Sequence, residues 1–156
     1  MAMLKFACLL LVALNLTLAA QTAREQPAQQ SRDEQELTRL VQEECEGVLE
    51  NHAAALDRIW ADEFVMLTSD GVTTPKARAR AYLLTALPEK IAGLCEIKDL
   101  KIKINGRKAT TEGRMSLRAM DLQLDIVPLD FKFSQKLVWR DRRWQATYLV
   151  FSRDKP

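Results

Sequence analysis

Leu56-Asp57-Arg58-Ile59-Trp60-Ala61-Asp62-Glu63-Phe64-Val65-Met66-Leu67-Thr68-Ser69-Asp70-Gly71 is the stretch that decides the fold of this chain. Leu56, Ile59 and Trp60 recur at helical spacing, which predicts a short helix from about Ala53 to Ala61. Ala61-Asp62-Glu63-Phe64 then makes a corner. Phe64 to Thr68 reads as an apolar strand, and Ser69-Asp70-Gly71 supplies the residues that turn it. Val72-Thr73 can pair back onto that strand. Thr74 can cap a further helix with Pro75 at its first position, and Pro88 stops it.

Upstream, Leu37, Leu40, Val41, Cys45, Val48 and Leu49 form an apolar stripe, with Arg39, Gln42, Glu43, Glu46 and Glu50 on the other face. A first helix is expected from about Arg32 to Asn51, with Ser31 and Glu34 as a capping box. Downstream, Leu100, Ile102 and Ile104 alternate with lysines, and Asn105-Gly106 is a hairpin signal. Further alternating strands follow from Ala109 to Leu117, Phe131 to Trp139 and Trp144 to Ser152. Met120 to Leu129 is less regular, and Pro128 argues against a central strand there. Helices followed by a long antiparallel meander predict an α+β fold, not alternating βαβ units.

The first twenty residues have the features of a secretory signal peptide. Lys5 precedes an apolar run from Phe6 to Leu18, and small residues follow at Ala19-Ala20. That run is shorter than the ~20 residues of a spanning helix, so no membrane attachment is expected after cleavage. Residues 21–32 are rich in Gln and Ala and read as a disordered linker, leaving 33–153 as one domain. The chain is expected to be secreted or periplasmic. Loss of Lys5 takes the formal charge from +2 to +1, a balance that does not call for nucleic acid. Loss of Cys8 leaves two of the three cysteines, Cys45 and Cys95. An even pair in an oxidising compartment can form a disulfide, and the alternative is two buried thiols.

The opening block, with Thr74-Pro75-Lys76-Ala77 and the stretch Leu137 to Gln145, resembles the SnoaL-like branch of the nuclear transport factor 2-like superfamily. The likeness runs from about Glu34 to Ser152. It implies a curved antiparallel sheet wrapped around the N-terminal helices, a cone-shaped pocket, and homodimers packed through the sheet. It does not carry over one chemistry. The position that matches the carboxylate base of the ketosteroid isomerases is Thr68, which cannot act as that base. The first helix has no tyrosine to match theirs. The polyketide cyclases use a histidine–aspartate arrangement, and the single histidine here, His52, lies between helices.

His52 is the natural general base by its ordinary pKa, or simply a helix-end residue. Asp57, Asp62, Glu63 and Asp70 crowd one region, where paired carboxylates can act as acid and base or serve as turn and helix-end residues. Asp70 is the acid nearest the expected pocket mouth. Trp60, Met66, Tyr82 and Phe133 are expected as core or pocket wall, and Thr111, Gln135 and Tyr148 as polar tips among them. Together they suggest a cavity for a small apolar molecule. No metal-ligand spacing, phosphate loop or dinucleotide fingerprint is present in the sequence, so no metal or cofactor is expected. Three readings follow: a binding or interaction domain without established catalysis, an enzyme using pocket carboxylates, and a homodimeric assembly module.

Overall fold

The computed structural model describes residues 28–68, 71–86, 90–121 and 126–153. The leader, Asp70, Pro88 and Asp125 lie outside the described residues. Residues 1–35 and 36–156 are separate units. In the first, the described residues are helical, with Gln29 Nε2 donating to Asp33 Oδ1 at 2.9 Å and Gln30 Nε2 to Glu34 Oε1 at 3.1 Å. Such pairs four residues apart support a helix. Ser31 therefore sits inside the helix instead of capping it.

The second unit holds the sheet and the core. Helix α1 spans 28–49 in all. It ends in a Schellman motif, a C-terminal cap in which a left-handed residue lets the last carbonyls find donors. Asn51 takes φ 56°, the His52 amide donates to Gly47 O at 2.8 Å, and the Asn51 amide to Val48 O at 3.4 Å. The His52 carbonyl then accepts from Ala55 and Leu56, starting α2, Ala53–Ile59. The helix expected to reach Ala61 stops earlier because Trp60 already belongs to β1, Trp60–Leu67. The corner at Ala61 to Phe64 is realised as a bulge inside β1, since its register shifts between Trp60 and Val65.

The Thr68 amide donates to Val72 O at 3.0 Å, Gly71 takes φ +82°, and β2, Thr73–Pro75, returns antiparallel to β1. Helix α3 covers Lys76–Ala86. Four long strands complete the sheet: β3 Lys90–Asn105, β4 Lys108–Asp121, β5 Ile126–Arg140 and β6 Arg143–Arg153. The strand order is β2-β1-β6-β5-β4-β3 in one open, curved sheet. All neighbours are antiparallel except β1 and β6, which are parallel. The expected antiparallel meander is β3 to β6, and the one parallel pair joins it to β1. Such a pair needs a long connection, and β1 and β6 are joined through α3 and the whole meander, not by a hairpin.

Pro128 is corrected, because it lies in β5 opposite Arg118. The last pair between β5 and β6 is Phe131 with Arg153. Among the described residues, β5 has only β4 beside it at Pro128, so the missing N–H costs no described bond on the far side.

One face of the sheet carries the core. Leu37, Val41, Cys45, Leu56, Trp60, Phe64, Met66, Leu137 and Leu149 are buried together. Gly93 matters for this packing: a Cβ there would meet Leu49 Cδ1 at 2.7 Å, so the Leu49 side chain would have to shift to admit one. Lys76 fixes the other helices by donating to Asp57 O at 3.0 Å and Trp60 O at 2.8 Å, carbonyls at the C-terminal end of α2.

Both tight hairpins use left-handed residues. In the first, Gly106 takes φ +58°, and Asn105 pairs with Lys108, so the loop is Gly106-Arg107, one residue later than expected. In the second, Asp141 and Arg142 take φ 54° and 60° between Arg140 and Arg143. Aspartate tolerates this region, and arginine is strained in it. Arg142→Gly is expected to stabilise the domain by about 1 kcal/mol, measured as a higher urea midpoint with unchanged m-value.

Candidate functional site

Glu44 is the feature of the interior that sequence reasoning missed. It lies on α1 seven residues after Leu37, three after Val41 and four before Val48, in the middle of the apolar stripe. Helical geometry therefore drives a carboxylate into the core, and the side chain is 2% exposed. That position was the available signal: a charge where the 3.6-residue period demands an apolar residue.

Three polar side chains receive it. The Trp60 indole Nε1–H donates to Glu44 Oε1. Gln135 Nε2 donates to Glu44 Oε2 at 2.7 Å. Thr111 Oγ1 donates to Gln135 Oε1 at 3.2 Å. Gln135 and Thr111 are both fully buried, and they stand directly opposite each other on β5 and β4. A helix residue, the first residue of β1 and the centres of two strands thus share one hydrogen-bonded chain. Burial pushes the Glu44 carboxyl up to about 7, and the bonds from Trp60 and Gln135 oppose that rise.

The adjacent residue makes the second tie. Cys45 and Cys95 form a disulfide between α1 and β3, with Cα atoms 6.0 Å apart. Gln42 Nε2 donates to Cys95 O at 3.1 Å beside it.

The expected site residues divide into groups. Trp60, Met66, Thr111, Phe133 and Gln135 come together on the inner face, and Trp60 stacks on Phe64 with ring centroids 4.2 Å apart. Tyr148 does not join them. It pairs with Val65 and Lys136 on the opposite face, and Lys136 Nζ lies 5.3 Å from the centre of its ring. Tyr82 is 55% exposed on α3. Asp70 lies outside the described residues. His52 is exposed, and its backbone serves the turn from α1 to α2.

The remaining acids face solvent. Asp57 pairs with Arg80. Asp62 is 3.8 Å from Lys76 Nζ. Glu63 pairs with Arg140 at 3.0 Å, and this bond holds its carboxyl below the ordinary value. Among the described residues no group of three His, Cys, Asp or Glu side chains is arranged to hold a metal ion. Among them also, no helix is long and apolar enough to cross a membrane.

No protein-family model and no curated sequence matches the chain. Solved structures do. A nuclear transport factor 2-like superfamily protein from Salmonella enterica serovar Typhimurium is 12% identical, with a TM-score of 0.70 over 81% of this chain and 94% of its own. A hexachlorocyclohexane dehydrochlorinase, LinA type 2, is 14% identical, with a TM-score of 0.68 over 81% of this chain and 88% of its own. The CamKII hub homology domain of Chlamydamonas reinhardtii is 14% identical, with a TM-score of 0.68 over 79% of this chain and 99% of its own. The chain has the nuclear transport factor 2-like fold, and at these identities the likeness is one of fold.

The buried acid makes stability depend on pH in a defined direction. Its folded pKa, about 7, lies above the ordinary 4.5. The folded state therefore holds the proton more tightly than the unfolded state. The contribution is most favourable below about 4.5, falls as pH rises through that window, and levels off above about 7. The whole change is on the order of 3 kcal/mol. Glu44→Gln can keep the network if the Gln135 amide turns over, because Thr111 Oγ1 can also accept. Relative to the wild type, E44Q should gain about 3 kcal/mol between pH 4.5 and pH 8. Urea unfolding of both proteins across that range checks it, and parallel curves would remove Glu44 as the titrating group.

Proposed function

We propose that this chain is an exported, disulfide-stapled binding domain that holds a small, largely apolar molecule or a partner without catalysing a reaction. One observation carries the reading: among the described residues, the candidate acids and base do not converge. Asp57, Asp62 and Glu63 point outward to cationic neighbours, and His52 is exposed at a helix junction. The interior acid accepts a bond at each oxygen from the chain itself. Such a set suits holding a structure more than moving a substrate proton, for which a base must be within reach of the reacting group.

Export is supported by the leader sequence and by the Cys45–Cys95 bond, which persists in oxidising compartments. Association as a homodimer through the sheet is part of the same reading. Val65, Leu67, Tyr148 and Val150 are half-buried and form an apolar strip on the face away from the core. The likeness to a hub homology domain fits such association.

A second reading has its own observation. Glu44 titrates near neutral pH, the range that suits a general acid or base, and a dehydrochlorinase shares the fold. On this reading E44Q loses turnover while remaining folded.

Native mass spectrometry of protein recovered from its exported fraction tests the first reading. It should show a chain beginning near residue 21, a dimer, and a ligand mass that is lost on denaturation. Reduction should add two hydrogens and lower stability by on the order of 4 kcal/mol for a 50-residue loop. Ligand-free protein alone would remove the binding role.

A further inference from the structure

A groove of about 410 Å³ lies where α1, α2 and the start of β6 meet, away from the Glu44 network. Its size falls within the range of small-molecule sites. Leu40, Ile59 and Trp144 give it an apolar wall, all three buried. Arg39, Arg58 and Arg143 stand around them. Glu43 pairs with Arg58, and Glu36 offsets one further charge. Among the described residues neither Arg39 nor Arg143 is in an ion pair, so one net positive charge remains.

The second observation is Trp144 itself. It is 2% exposed, and among the described residues its buried Nε1–H has no hydrogen-bond acceptor. Trp139 packs across it at 64°, with ring centroids 5.6 Å apart, but offers no lone pair. The other buried indole, Trp60, has a carboxylate. A buried donor without an acceptor is costly. Here that donor belongs to a side chain that lines a cationic groove.

We propose that this groove binds a small amphiphilic carboxylic acid. Its carboxylate accepts from Trp144 Nε1–H and lies between Arg39 and Arg143, and its hydrocarbon part covers Leu40 and Ile59. The nitrogen is covered in the free chain, so the rim must part to admit the acid. The Arg58–Glu43 pair in that rim is exposed, and exposed pairs contribute little and yield readily. A planar guanidinium matches a carboxylate with two parallel bonds. The inference deepens the binding reading and rests on it, adding a place and a ligand class.

The test follows the indole cross-peaks of Trp60, Trp139 and Trp144 by ¹H–¹⁵N NMR of the intact protein. Octanoate, octan-1-ol and inorganic phosphate are the probes. Octanoate should move the Trp144 indole proton downfield to saturation and leave Trp60 in place. The exposed double variant Arg39→Ala/Arg143→Ala should keep the spectrum of a folded domain and weaken octanoate roughly tenfold or more. Octan-1-ol should move Trp144 far less, because it lacks the charge. No saturable shift at Trp144 would overturn the proposal. So would an equal shift with octan-1-ol, or with phosphate, which lacks the apolar part. A ligand found by native mass spectrometry that leaves Trp144 unmoved would overturn this site and leave the binding role standing.

Discussion

A single buried carboxylate sets the position of the first helix on the sheet. Glu44 cannot lie in an apolar core without donors, and the two it uses come from opposite sides of β6: Trp60 on β1 and Gln135 on β5. Cys45, the next residue, is bonded to Cys95 on the far edge strand β3. Two consecutive residues of α1 therefore reach nearly across the sheet, one by hydrogen bonds and one covalently. Sliding or rotating the helix by one residue would break both ties. Apolar packing alone is less selective, because a stripe of Leu and Val tolerates rearrangement better than a bonded acid.

The sheet meets that helix because it bends. β3, β4 and β5 have 16, 14 and 15 residues, long for strands of a globular domain. The ladder is interrupted between Trp60 and Val65, between Lys98 and Lys101, and between Lys136 and Leu137. Irregularities of this kind bend a strand and increase its twist. In β3 the interruption holds Asp99 at φ 53°, a conformation aspartate tolerates. The bulge in β1 begins at Trp60, so the break in the ladder also places the indole that serves Glu44. Curvature and the polar network share a residue.

Much of this was legible in the sequence. The stripe on α1, the alternation along β4, β5 and β6, and the pair of cysteines each have a local physical cause visible in the chain. What was not legible depends on partners distant in sequence. One strand looks the same whether its neighbour runs parallel or antiparallel, so the β1–β6 pairing could not be read. Pro128 looked like a breaker because nothing in the chain marks that the described pairing of β5 with β6 begins only at Phe131. Asp57, Asp62 and Glu63 looked like a cluster because they are close in sequence. The helix and the bulged strand turn them outward, toward Arg80, Lys76 and Arg140. Alternation placed Thr111, Phe133 and Gln135 on one strand face, and all three are buried on the inner face. Tyr148 fell on the other face because a register shift in the β5–β6 ladder leaves Thr147 without a partner.

The network also bears on why an acid stands at this position at all. A leucine or methionine would fill the space without desolvating a charge, and such exchanges often leave a protein no less stable. Here, however, the apolar substitute would strand the Trp60 indole and one end of Gln135, leaving two buried donors unpaired. The acid, the indole and the amide are thus tolerable only together, and removing one leaves the others costly. This interdependence explains the acid structurally without reference to a substrate. A catalytic role would require one of those bonds to be given up to a ligand, at the cost of a buried donor. A binding role leaves the network whole, because the groove beside Trp144 uses none of its members.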